Sequence, residues 1–175
     1  MSNAPHDLKA YIRDVPDFPK PGILFKDITP LLSDPLAFRS AVNQLVARFA
    51  GRQIDAIAAA EARGFLFAAP VALTLGVGLI PIRKPGKLPY RTLAQEYALE
   101  YGSDRLEVHS DAFSQGRKIL LVDDVLATGG TMRACCDLVT RTGAQVVATA
   151  FLIELSFLGG RDRLKPFDVE SVLIY

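Results

Sequence analysis

Tryptophan is absent, cysteine and histidine occur twice each, and neither sign of charge is in excess. Each shortage removes a class of function. Cys135 and Cys136 are neighbours, and consecutive Cα atoms stand about 3.8 Å apart, closer than a disulfide ordinarily allows. They read as packing residues of a helix in a reducing compartment, so a cytoplasmic location is expected. His6 and His109 lie far apart without a ligand pattern around them, which argues against a protein-built metal site. Twenty basic and nineteen acidic side chains leave a formal charge of +1. A dedicated nucleic-acid or membrane-surface protein would show a basic surplus.

A membrane span is not expected either. The uncharged run Gly64 to Ile82 is long enough to cross a bilayer, but Pro70, Gly76, Gly78 and Pro81 divide it into helix, turn and strand. The first twenty residues are polar and carry several prolines, so no secretory leader is expected. What remains is 175 residues, half of them apolar, enough for a single domain with a core that needs no staples.

The pattern along the chain is α/β. The first thirty-odd residues mix Pro and Asp with scattered apolar positions and suggest an irregular N-terminal cap, residues 1–34. Asp34 and Pro35 fit the N-cap and first turn of a helix that Gly51 ends. A strand is expected over 54–60, a helix over 65–75 and a strand over 78–82. A basic loop broken by Pro and Gly follows, 83–91. Alternation over 95–101 and 105–108 predicts an antiparallel excursion within a flap at about 85–108. Then come a strand over 119–122, a helix over 131–142, a strand over 145–154 and a last strand over 167–174. Strands alternating with helices imply a single domain with a central, mostly parallel sheet covered by helices. Ligands of such sheets bind beyond the strands' carboxyl ends. Three chemically loaded segments leave such ends: Glu61–Gly64, Arg83–Lys87 and Asp123–Thr131.

The last is the most informative. Val122-Asp123-Asp124-Val125-Leu126-Ala127-Thr128-Gly129-Gly130-Thr131 joins an apolar strand to a helix. Backbone N–H groups and the positive end of the helix dipole face an anion there. Thr128 and Thr131 add hydroxyl donors, and Gly129 and Gly130 let the backbone approach phosphate oxygens. Asp123 and Asp124 can accept hydrogen bonds from vicinal sugar hydroxyls. No Lys-Ser or Lys-Thr follows the glycines, so a Walker loop fits worse.

This run resembles the 5-phosphoribosyl 1-pyrophosphate (PRPP) signature of the type I phosphoribosyltransferases. Further blocks resemble the adenine phosphoribosyltransferases, in the same order. They are Phe18-Pro19 with Pro21-Gly22-Ile23-Leu24-Phe25-Lys26-Asp27, Glu61-Ala62-Arg63-Gly64-Phe65, Arg83-Lys84-Pro85-Gly86-Lys87-Leu88-Pro89, Leu99-Glu100-Tyr101-Gly102 and Glu154-Leu155. Ala59-Ala60 and Ala68 depart from it, standing where glycine is common in the family. Tyr90 and Arg91 receive no role.

The resemblance implies transfer of the 5-phosphoribosyl group from PRPP to adenine, giving AMP and pyrophosphate. It implies that Asp123, Asp124, Ala127, Thr128, Gly129, Gly130 and Thr131 bind PRPP, with Ala127 keeping the loop small beside the base. Arg63, Lys84 and Lys87 would hold pyrophosphate. Phe25 would stack on the purine, the backbones of Leu24 and Lys26 would read its edge, and Leu155 would close the other face. Glu100 would be the acid–base group at adenine N7, with Tyr101 closing the flap. Mg²⁺ would arrive on substrate oxygens and water rather than on protein ligands, and a homodimer is implied. Taken singly, the residues keep other readings: a basic loop can be a solvated loop, Phe25 a core residue, Glu100 a surface carboxylate. Transfer to another purine base and a PRPP-binding regulator without catalysis are the alternative functions.

Glu100→Ala is expected to lower turnover about a hundredfold or more, the loss typical of a general acid–base group, while PRPP affinity stays. Steady-state kinetics would show it, and an unchanged rate would remove Glu100 from the mechanism.

Overall fold

The computed structural model describes residues 7–98 and 103–175. The chain divides into two compact units, one ending at Gln44 and one running from Leu45 to Tyr175.

The N-terminal unit is more regular than its sequence suggests. A 3-10 turn at Leu8–Tyr11, whose Lys9 N–H donates to the Asp7 carboxylate, leads into an antiparallel hairpin. Its strands are β1 (Arg13–Pro16) and β2 (Leu24–Asp27). The expected irregular cap is therefore corrected to a hairpin in this stretch. Its connecting loop opens at Asp17, which has φ 59°, and the Asp17 carboxylate accepts the Gly22 N–H at 2.8 Å. Strand β1 is mostly exposed, so it lacks the apolar alternation by which a strand is recognised. Asp27 then caps α1 (Thr29–Ser33) through the Thr29 N–H and hydroxyl. Asp34 accepts from the N–H groups of Leu36 and Ala37, both at 2.9 Å, at the start of α2 (Pro35–Ala47). That helix stops earlier than expected, and Gly51, with φ 77°, turns the chain after it.

The larger unit holds a five-stranded sheet. Its members are β3 (Ala56–Ala60), β4 (Gly78–Ile82), β7 (Lys118–Leu126), β8 (Gln145–Glu154) and β9 (Val169–Ile174). The order is β4-β3-β7-β8-β9, and every pairing is parallel. All five residues of β3 are buried, four of them alanine. Such small side chains suit a strand pressed between layers, where a helix must approach closely.

Two helices connect neighbouring strands, α3 (Gly64–Leu75) and α4 (Gly130–Arg141). The β3-α3-β4 crossover moves to one side and the β7-α4-β8 crossover to the other. Because such crossovers are right-handed, the two helices cover opposite faces of the sheet. Between β3 and β7 the winding reverses, which is where an open α/β sheet leaves a crevice. No helix among the described residues is long and apolar enough to cross a membrane.

The excursion is the antiparallel pair β5 (Thr92–Ala98) and β6 (Ser103–His109), three residues longer at its start than the alternation predicted. Leu106 and Val108 of β6 are fully buried in one cluster with Ile119, Leu121, Cys135, Cys136 and Leu138. Both cysteines are thus packing residues, and burial pushes the Cys136 thiol up to about 12. A short helix, α5 (Gly160–Arg163), was not expected.

Leu121, fully buried at the centre of the sheet, sets a stability test. Leu121→Ala should cost about 2–5 kcal/mol, the usual range for a leucine cavity. Urea denaturation would measure it; a loss well below that range would mean that the core collapses around the gap.

Candidate active site

Strand β7 runs farther than the sequence suggested. Its pairing with β3 ends at Ala59↔Val122, but pairing with β8 continues through Val125↔Ile153 and Leu126↔Glu154. Asp123 and Asp124 are therefore strand residues, and the connecting loop is only Ala127 to Gly129. The overhang has a cause: β8 is itself ten residues long and carries β7 along with it.

Around that overhang lies a cavity of about 360 Å³. It is lined by Glu61 to Arg63 after β3, by Asp123 to Met132, and by Phe151 of β8. Arg63, Asp123, Asp124, Ala127, Thr128, Gly129, Gly130 and Thr131 thus share one wall, at the switch in winding.

The end of the cavity at α4 is built from backbone. Helix α4 starts without a side-chain cap, behind Gly129 at φ 78°. The first turn lines the cavity, and its N–H groups have no side-chain cap. A Cβ on Gly129 would also stand 2.8 Å from the Gly160 carbonyl oxygen. Two independent reasons demand glycine there.

The acid pair is crowded. A Cβ on Gly64, at the start of α3, would lie 2.9 Å from Asp123 Oδ1, so only glycine lets that helix begin so near the carboxylates. Asp123 Oδ1 accepts the Asp124 N–H at 2.9 Å. Burial, and then the charge of Asp124, push the Asp123 carboxyl well above its usual range. Arg63 Nε lies 2.7 Å from Asp124 Oδ2. The approach is an ion pair without hydrogen-bond alignment, so that buried oxygen accepts no hydrogen bond. A hydroxyl donor would complete it.

The basic loop is tied to its surroundings. Arg83 Nε meets the Glu61 carboxylate at 2.6 Å, and the Arg83 and Glu107 backbones bond to each other in both directions. Lys84 Nζ is paired with Asp104, and that hydrogen bond above all holds the Asp104 carboxyl below its usual range. Tyr97 donates to Asp104 at 3.1 Å and stands 3.5 Å from the Thr131 hydroxyl. Lys84 therefore connects to the rim through Asp104 and Tyr97. Lys84 and Lys87 stay outside the lining of this cavity, and so does Leu155, whose N–H bonds to the Leu126 carbonyl at 2.9 Å.

A family model described as a phosphoribosyl transferase domain matches residues 32–171. An adenine phosphoribosyltransferase of Methylococcus capsulatus is 60% identical over 168 residues, which cover 96% of this chain and 98% of the relative. The chain belongs to the adenine phosphoribosyltransferase family. Solved members share the fold. The enzyme of Thermoanaerobacter pseudethanolicus superposes with a TM-score of 0.94 at 53% identity, covering 96% of this chain and 98% of that one. The enzyme of Saccharomyces cerevisiae, solved with an imino-altritol bisphosphate and adenine, gives 0.90 at 39% identity, covering 95% and 96%.

Leu24, Phe25 and Lys26 occupy β2 in the N-terminal unit, where Phe25 meets Phe18 edge-on with ring centroids 5.1 Å apart. Glu100 and Tyr101 lie outside the described residues. Sequence reasoning placed Gly64 in a motif without giving it a role and overlooked Gly160; the missing side chains of both shape the site. The Gly159-Gly160 pair soon after Glu154-Leu155 was the available signal for the second.

The acid pair yields a prediction. Because the folded protein holds Asp123 above its usual 3.8, stability falls as the pH rises from the unfolded value to the folded one, and the full cost stands above it. That cost vanishes below the unfolded value. Asp123→Asn should therefore raise the Tm of the ligand-free protein near neutral pH, by about 2–4 °C per kcal/mol relieved. The gain should shrink as the pH falls toward about 4. Thermal melts across that range would test it, and a gain independent of pH would contradict it.

Proposed function

We propose that this chain transfers the 5-phosphoribosyl group of PRPP to adenine, giving AMP and pyrophosphate in purine salvage. The observation that carries the chemistry is the wall shared by the acid pair and the uncapped glycine nest. The choice of base rests on near-full-length relatives, all adenine phosphoribosyltransferases, at 53–60% identity.

The chemistry follows from the groups present. The 5-phosphate sits on the backbone N–H groups that open α4, with Thr128 and Thr131 adding hydroxyls. The ribose hydroxyls donate to Asp123 and Asp124, one of which offers a buried oxygen that accepts no hydrogen bond. When the bond from C1 to pyrophosphate oxygen breaks, positive charge develops on the ribose, and the adjacent carboxylates stabilise it. Arg63 balances the pair in the free site and is a short reach from departing pyrophosphate, with Lys84 and Lys87 as further cations. Adenine N9 then bonds to C1 as pyrophosphate departs, and the N7 proton passes to the Glu100 carboxylate. Leu24, Phe25, Lys26 and Leu155 are proposed for the base and Tyr101 for closure over it.

Magnesium suits this donor set. The acid pair fits the water shell of an ion carried in on PRPP, and the ion would neutralise charge on the departing group. Family membership also supports a cytoplasmic homodimer.

Radiolabelled adenine with Mg-PRPP should yield labelled AMP and one equivalent of pyrophosphate. Hypoxanthine, guanine and xanthine should compete poorly. Turnover of guanine without adenine would assign another base.

A further inference from the structure

The loop Ala127 to Gly129 must hold one conformation for its N–H groups to converge, yet it has few constraints of its own. Helix α4 opens without a side-chain cap. The loop is flanked instead by backbone from a distant segment. A Cβ on Gly160 would stand 2.2 Å from the Ala127 carbonyl oxygen and 2.9 Å from a Leu126 methyl carbon. Gly160 thus abuts the loop more closely than any side chain permits.

What keeps Gly160 there is the next residue. Arg161 grips Glu154 with both arms of its guanidinium, Nε to Oε1 at 2.9 Å and Nη2 to Oε2 at 2.6 Å. Its Nη1 donates to the Val169 carbonyl at 2.8 Å. Ser171 donates to the same Glu154 oxygen at 2.6 Å. Glu154 is buried, and the Arg161 hydrogen bonds hold its carboxyl below the usual range. Two-armed pairs fix orientation as well as distance, and a buried carboxylate that loses its partner is strongly unfavourable. The clamp therefore locks the start of α5 to the end of β8 and the first residues of β9.

We propose that Arg161 and Glu154 are positioning residues for PRPP, acting through the Gly160 backbone on the conformation of the Ala127–Gly129 loop. Neither touches substrate. This rests on the reading of that loop as the phosphate cradle. Misplacing such a cradle by about 1 Å can cost up to a hundredfold.

The test uses the full chain with Gly160→Ala, Arg161→Lys, Glu154→Gln and Glu154→Ala. Calorimetry with Mg-PRPP, KM values for PRPP and adenine, and melting curves are the readouts. Gly160→Ala and Arg161→Lys should weaken PRPP binding about tenfold to a hundredfold, with the adenine KM within about twofold of wild type. Glu154→Gln, which keeps the shape and one acceptor oxygen, should retain more PRPP affinity than Glu154→Ala. Should Gly160→Ala fail to fold, Arg161→Lys and Glu154→Gln decide. Folded variants with wild-type PRPP affinity would overturn the proposal. So would a parallel rise in the adenine KM, which would place the effect at Leu155. A wild-type chain that does not bind Mg-PRPP would remove the cradle itself, a separate failure.

Discussion

Asp123 and Asp124 are consecutive residues on a strand that runs past one of its neighbours, and they hold two carboxylates within a partly enclosed space. Like charges so placed repel, and removal from water adds to the cost. The surrounding structure answers with local positive potential: Arg63 beside Asp124, the Asp124 N–H on Asp123, and the opening of α3 brought close by Gly64. None of these satisfies the pair fully. Under the proposed function the ribose hydroxyls relieve that residual tension, and amides in place of the acids would relieve it without a ligand. Stability forgone at a binding site in this way is a common trade.

Much of this architecture is legible in the sequence, and the reasons are local. Strands Gly78–Ile82 and Gln145–Glu154 are bounded by glycine or by a polar stop and carry continuous apolar runs. Helix α2 declares its start through Asp34 and Pro35. The end of β7 resists the same reading. An Asp-Asp pair looks like the start of a loop, and only pairing with β8 shows that the strand continues. The hairpin of the N-terminal unit is hidden for a related reason: an exposed strand has no buried face to imprint on its sequence.

The site divides along the same line. Arg63 and the residues from Asp123 to Thr131 are contiguous in short motifs, and they do gather around one cavity. Lys84 and Lys87 also sit in a motif, but motifs do not disclose tethers. Asp104 and Tyr97, which fasten Lys84, come from another strand pair. Gly160 is harder still. Its contribution is an absent side chain opposite a carbonyl some thirty positions upstream, and only three-dimensional proximity reveals it.

That distance along the chain has a temporal consequence. A ribosome releases the acids and the glycines of the signature well before the backbone against which they press. Until residues 154–171 have emerged, the nascent protein carries every side chain of the signature run but lacks the Gly160 backbone that abuts it. Under the proposed function, the cradle is therefore complete only once the C-terminal segment has docked, not on synthesis of the signature itself.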